Sequence, residues 1–226
     1  MIRVQSLSDL QLVSNPKWRA DLFGGFLFAA IPLLCCGAAL LLFHAYSMRV
    51  TFTGKSAATL VGATVFVPAI EELLFRGLIL GILLRSGHRL FALLVTSAFF
   101  SIIHFLKAPE GTSQVVNWWS GFNSIAHAFG QFSDPMLVVA GFTTLFLIGC
   151  ILADTRLRTR SLWLPIGLHA GWIFGNTFFN RLARRQVLAL PWLGKNLLVG
   201  LLPLAVCLMT WALIVLWLNR QSRRET

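Results

Sequence analysis

Residues 22–43, LFGGFLFAAIPLLCCGAALLLF, run for 22 positions without a charged side chain. A bilayer's hydrocarbon core is crossed by a helix of about 20 apolar residues. No water is available there to pair with the backbone, so a single spanning segment has to be helical. Comparable windows recur along the chain. They predict an all-α, polytopic membrane helix bundle of about six transmembrane helices, near 22–46, 57–84, 90–106, 136–153, 161–180 and 196–218. Composition agrees, with 57% hydrophobic and 12% charged residues against roughly 45–50% and 25% in soluble domains. We read residues 1–226 as one integral membrane domain.

The net charge of +11 does not imply nucleic acid, because the basic residues fall in short connections between apolar spans. That placement suits anionic headgroups and the control of topology. With the N-terminus in the cytoplasm, Arg3, Lys17, Arg19, Arg85, Arg89, Arg156, Arg158, Arg160, Arg220, Arg223 and Arg224 lie inside. Arg49, Lys55, Lys107, Arg181, Arg184, Arg185 and Lys195 lie outside, so the balance is 11 to 7. Both termini are therefore expected in the cytoplasm, and the compact size suggests a prokaryotic plasma membrane. The first 20 residues carry Arg3, Asp9, Lys17 and Arg19 without an apolar core, so no cleavable signal peptide is expected. Cys35, Cys36, Cys150 and Cys207 all lie in apolar segments and read as packing residues. The connection at 107–134, with Trp118 and Trp119, suits a short interfacial helix.

Against this background FVPAIEELLFRGLIL, residues 66–80, stands out. An ionisable group in hydrocarbon costs roughly 2.5–3.5 kcal/mol even on insertion scales, yet Glu71, Glu72 and Arg76 all sit inside the run. Glu72 and Arg76 are four apart, on one helical face and in the favourable acid-first order. Glu71 lies about 100° around the helix and has no local partner. Two other spans carry imidazoles: His104 in AFFSIIHFL, with Phe100 one turn before it, and His169 in LPIGLHAGWIFGN.

A carboxylate and two imidazoles meeting from three helices can hold and deprotonate a water molecule and protonate a leaving amine. The same set can ligate zinc with an open coordination position. Plainer readings exist for each residue. A lone intramembrane histidine is more often a packed structural residue than a catalyst, and Glu72–Arg76 can simply staple helices. Phe99, Phe100, Phe105 and Trp172 suit a core or lipid face, and His44, His88 and His127 suit interfaces or loops.

EELLFR (Glu71, Glu72, Arg76), FSIIH (Phe100, His104) and the His169 segment resemble, in order and spacing, the CAAX protease and bacteriocin-processing family, over roughly residues 55–180. The resemblance implies an intramembrane endopeptidase. It would cleave a membrane-associated protein or peptide, in CAAX-type processing, bacteriocin maturation or removal of a C-terminal sorting segment. Glu71 would be the general base, His104 would orient the water, and His169 would stabilise the oxyanion. Glu72, Arg76 and Phe100 would support them. The favoured mechanism needs no cofactor; the alternative is Zn2+ held by Glu71, His104 and His169. The implied partners are the substrate and the bilayer, not nucleic acid.

One position departs from the family pattern. Four residues after the second histidine, where the family has Asn or Asp, this chain has Ile173; Asn176, three residues later and nearly on the helical face of His169, is the candidate supporting residue in its place. The competing functions are a non-catalytic immunity or scaffold protein and a small proton-coupled transporter. No HExxH, rhomboid-type Gly-x-Ser-Gly or presenilin-type aspartate pair is present.

Overall fold

The computed structural model describes residues 12–49, 53–105, 135–187, 191–194 and 196–223. They form α1 (Trp18–Leu42), β1 (Tyr46–Met48), α2 (Gly54–Glu72), a π-helical segment (Leu73–Ile79), α3 (Leu80–Leu84), α4 (Arg89–Phe105), α5 (Pro135–Thr159), α6 (Trp163–Leu182), β2 (Ala183–Arg185) and α7 (Leu201–Ser222). Since α2, the π segment and α3 are continuous, six helical rods stand where six spans are expected. The expected interfacial helix of 107–134 lies outside the described residues, as does His127.

Among the described residues, three helices are long and apolar enough to cross a membrane: Trp18–Leu42, Val138–Thr159 and Leu201–Ser222. Arg89–His104 is apolar but shorter. The rod from α2 to α3 and α6 carry the charged and polar residues of the site, which lowers their hydropathy. A belt of exposed large apolar side chains, among them Phe23, Ile31, Phe66, Ile70 and Leu90, is the surface a lipid-facing bundle presents.

The centre of the bundle is the contact of α1 with α6. Glycines let the two backbones approach: a Cβ on Gly167 would sit 2.1 Å from the Leu22 carbonyl oxygen, and one on Gly171 2.4 Å from that of Phe26. Helices in lipid associate through such small-residue contacts because apolar burial drives little there. Gly25 meets Leu164 and Gly37 meets Phe179, so α1 and α6 run parallel.

A short ribbon unannounced by the sequence follows both of these helices, with Tyr46 paired to Arg185 and Met48 to Ala183. On the other side α4 packs antiparallel to α5, where Gly149 accommodates Ser97 and the Ser101 hydroxyl donates to the Phe142 carbonyl. Asp154 joins α5 to α7, accepting from Trp211 Nε1 at 2.8 Å. All four cysteines are unpaired.

Candidate active site

The candidate residues come from the middle rod, α4 and α6. Thr53 and Ser56 open α2 with a reciprocal capping box, and Arg181 of α6 donates to the Ser56 carbonyl. About sixteen residues later the same two helices meet again at Glu72 and His169, so α2 and α6 run antiparallel with the site between them.

Glu72 and Arg76 are fully buried. Glu72 Oε1 accepts from Arg76 Nη1 at 2.8 Å and from His169 Nδ1 at 2.8 Å. Arg76 Nη2 reaches the Gly149 carbonyl of α5 at 3.4 Å, and its guanidinium lies 4.3 Å over the Phe100 ring. The pair is thus the expected intrahelical one and also a junction of four rods. An ionised carboxylate only accepts, so the His169 proton is on Nδ1 and Nε2 is directed elsewhere.

That direction is Glu71. His169 Nε2 lies 3.8 Å from Glu71 Oε2, and His104 Nε2 lies 3.5 Å from the same oxygen. His104 Nδ1 donates to the Phe100 carbonyl at 2.8 Å, which leaves its Nε2 bare as well. Glu71 Oε2 is buried and has no hydrogen-bond partner, although the side chain as a whole is 27% exposed. Three acceptor atoms therefore converge at distances that a small proton donor between them would satisfy. Phe100 sets the geometry beneath, its ring 4.2 Å from that of His104 and edge-on to His169 at 5.9 Å.

Glu71, Glu72, Arg76, Phe100, His104 and His169 are thus brought together. Asn176 is not: its side chain accepts from Asn180 at 3.3 Å on an exposed face. Ile173 is half-buried.

Sequence reasoning missed one residue. Arg156, expected in a cytoplasmic connection, is buried at 1% exposure, and its Nε donates to the Arg76 carbonyl at 3.2 Å. That carbonyl belongs to the π segment, whose i→i+5 pattern offsets the helical ladder and commonly marks functional positions. The signal was the stripe Ile148, Leu152, Arg156, spaced by four, whose first two members are buried. With Arg156 left out, the count of basic residues behind the expected orientation becomes 10 to 7.

A cation, if bound, would be held by Glu71, His104 and His169. Each imidazole has the outward N–H partner usual for a ligating histidine. Among the described residues, however, no group of three or more His, Cys, Asp or Glu side chains is arranged to hold a metal ion.

A bundle of membrane helices that sets a carboxylate between two imidazoles is, as a class, a polytopic membrane protein with a cluster of titratable groups among its helices. The sequence profile of the type II CAAX prenyl endopeptidases, Rce1-like, matches residues 53–175. That is more than half of the chain, and the protein belongs to this family of CAAX-type intramembrane endopeptidases. No curated protein matches it, and no solved structure does.

Proposed function

We propose that the protein is an intramembrane endopeptidase that cleaves a peptide bond near the C-terminus of a membrane-associated, CAAX-type substrate. The observation that carries this reading is the convergence of His104 Nε2 and His169 Nε2 on the unpartnered Oε2 of Glu71. A water between them can donate to Glu71 and to one imidazole. Glu71 takes a proton from this water as its oxygen attacks the scissile carbonyl, and His104 orients it. Passed on from Glu71 to His169 Nε2, the same proton lets that nitrogen donate to the oxyanion while Glu72 holds Nδ1–H. That proton then goes to the leaving amide nitrogen, and the new acid gives its own to the freed amine, leaving a carboxylate and an ammonium group.

Glu72, Arg76 and Phe100 act as positioning residues. Burial excludes competing solvent and makes each of these interactions stronger than in water. No metal is assigned a step. We further propose that both termini face the cytoplasm, on the residual 10 to 7 charge balance.

Membranes from cells making the wild-type chain or Glu71→Gln at matched abundance distinguish the readings. New termini on membrane-associated proteins seen with wild type alone are expected. Identical termini in both, with any phenotype intact, would transfer the reading to a non-catalytic membrane protein. Ile173, at the family's polar position, favours that second reading.

A further inference from the structure

The ends of three spans enclose an open, polar cavity of about 430 Å³. Its wall carries Asn15, Lys17 and Asp21 from the approach to α1 and its first turn, Arg158 from the last turn of α5, and Asn219 and Gln221 from the last turn of α7. No residue of the candidate active site lines it. Asp21 immediately precedes the charge-free run at 22–43, and Leu218, also on the wall, is the last apolar residue of α7 before Asn219 and Arg220. Trp18 and Trp163, both exposed, stack nearby with ring centroids 5.0 Å apart, and tryptophan favours the membrane–water boundary. The cavity therefore lies at the depth of lipid headgroups.

Asp21 is the enclosed member of the wall, at 5% exposure. Its Oδ2 accepts from Asn15 Nδ2 at 2.7 Å. The same amide reaches the Ser161 hydroxyl at 3.2 Å, and Asn15 Oδ1 accepts from the Lys17 N–H at 2.9 Å. Upstream, the Val13 N–H donates to the Arg160 carbonyl at 3.0 Å. The carboxylate is thus held from outside its own helix. An acid in the first turn suits the helix dipole, which accounts for its charge. That does not account for the polar cavity beside it, nor for Oδ1, which has no hydrogen bond among the described residues. Arg158 gives its Nε to Asp154 at 2.8 Å, and its two Nη groups are likewise without partners among the described residues.

A ligand for this wall has to meet a carboxylate oxygen and a guanidinium fork together. A plain anion would be repelled by Asp21, and a plain cation by Lys17 and Arg158. A molecule carrying both signs suits both, and at headgroup depth that is a zwitterionic phospholipid. Quaternary ammonium groups, as in choline, are held by aromatic rings, and no aromatic side chain lines the cavity among the described residues. A primary ammonium instead brings three N–H donors to an acceptor such as Asp21 Oδ1.

We propose that the cavity binds the headgroup of one phosphatidylethanolamine molecule, its ammonium on Asp21 and its phosphodiester on the Arg158 fork. The acyl chains continue into the bilayer, and the bound lipid links the ends of α1, α5 and α7. This site is independent of the endopeptidase reading.

The test titrates the full chain, purified in detergent, with phosphatidylethanolamine, its N-methyl and N,N-dimethyl derivatives, and phosphatidylcholine, all with the same acyl chains. Bound lipid is counted by native mass spectrometry. One phosphatidylethanolamine should be retained, with an affinity about tenfold or more above that of phosphatidylcholine, as for a hydrogen bond to a charged group. The partly methylated lipids should fall between. This series uses the wild-type chain alone, so its outcome does not depend on how a variant folds. Asp21→Asn should bring phosphatidylethanolamine down to the level of phosphatidylcholine, whereas Arg158→Gln should weaken both alike. Equal affinities of the wild type for the two lipids would overturn the site, as would a preference that survives Asp21→Asn or a tighter hold on phosphatidylglycerol. Glycerophosphoethanolamine, the same headgroup without acyl chains, should not displace the lipid at equal concentration. Displacement would assign the cavity to a soluble phosphodiester and overturn the lipid as its ligand.

Discussion

Glu72 and His169 share a 2.8 Å hydrogen bond between helices 97 residues apart in sequence, and the same carboxylate oxygen holds Arg76. Two adjacent glutamates therefore stand in opposite situations. Glu72 is fully buried and holds two partners on one oxygen, whereas Glu71 is partly exposed and faces bare imidazole nitrogens.

From this contrast the two Glu→Gln variants should part company. Glu72→Gln removes the counter-charge of a buried arginine, a change that costs about 3–5 kcal/mol where a buried pair is broken, and frees the His169 ring. Its melting temperature in detergent and its kcat should both fall. Glu71→Gln should lose activity with its melting temperature unchanged or raised. Equal melting temperatures for the two variants would deny that the adjacent acids have different roles.

Arg156 supports the π segment by donating to the Arg76 carbonyl. Arg156→Met keeps most of the volume and leaves that buried carbonyl without this donor, an omission worth about 1–3 kcal/mol. Since Arg76 anchors Glu72, kcat should fall about tenfold or more, with KM within twofold. An anchor for headgroups would behave otherwise, with activity following the anionic lipid content of the nanodisc; wild-type kcat is expected to be the same in anionic and zwitterionic discs.

Much of this was legible because a charged group in hydrocarbon cannot be incidental. Glu71, Glu72 and Arg76, and the imidazoles of His104 and His169, stood out from apolar runs that also marked the six rods. What could not be read was rotation. Whether Glu72 or Glu71 meets His169 depends on how α2 and α6 turn toward one another and on a π segment that no local pattern announced. Arg156 looked like a headgroup anchor because it sits near the end of its span, although its spacing from Leu152 placed it on the buried face. The β1–β2 ribbon escaped notice because strands of three residues, one of them Ala-Arg-Arg, show no apolar alternation. Asn176 shares a helical face with His169, but lies two turns along and pairs with Asn180 instead.

The α1–α6 crossing depends on Gly167. A methyl group there would meet the Leu22 backbone oxygen at 2.1 Å, and backbone cannot swing aside as a side chain does. Overpacking a tight interior typically costs about 1–3 kcal/mol. Gly167→Ala should lower the melting temperature, and because His169 lies two residues on, it should lower activity too. Gly62→Ala, where a Cβ meets nothing within 4 Å, is the control and should leave both unchanged.

Metal dependence separates the two chemistries that Glu71, His104 and His169 allow. His104 and His169 each give their Nδ1 proton to a fixed acceptor and aim Nε2 at Glu71, a set that suits a water held for general-base attack. Zinc would draw the same three groups to about 2.0–2.2 Å from one point. On the general-base reading, protein dialysed against 1,10-phenanthroline should retain its full rate on a CAAX peptide, and elemental analysis should find substoichiometric zinc. Adding Zn2+ should either leave the rate unchanged or inhibit it by occupying the water's place. Loss of activity in chelator, with stoichiometric recovery on adding Zn2+, would replace Glu71 as general base with Glu71 as ligand. The zinc content of Glu71→Gln then discriminates further: a ligating Glu71 loses the ion together with activity, whereas a general base loses activity alone.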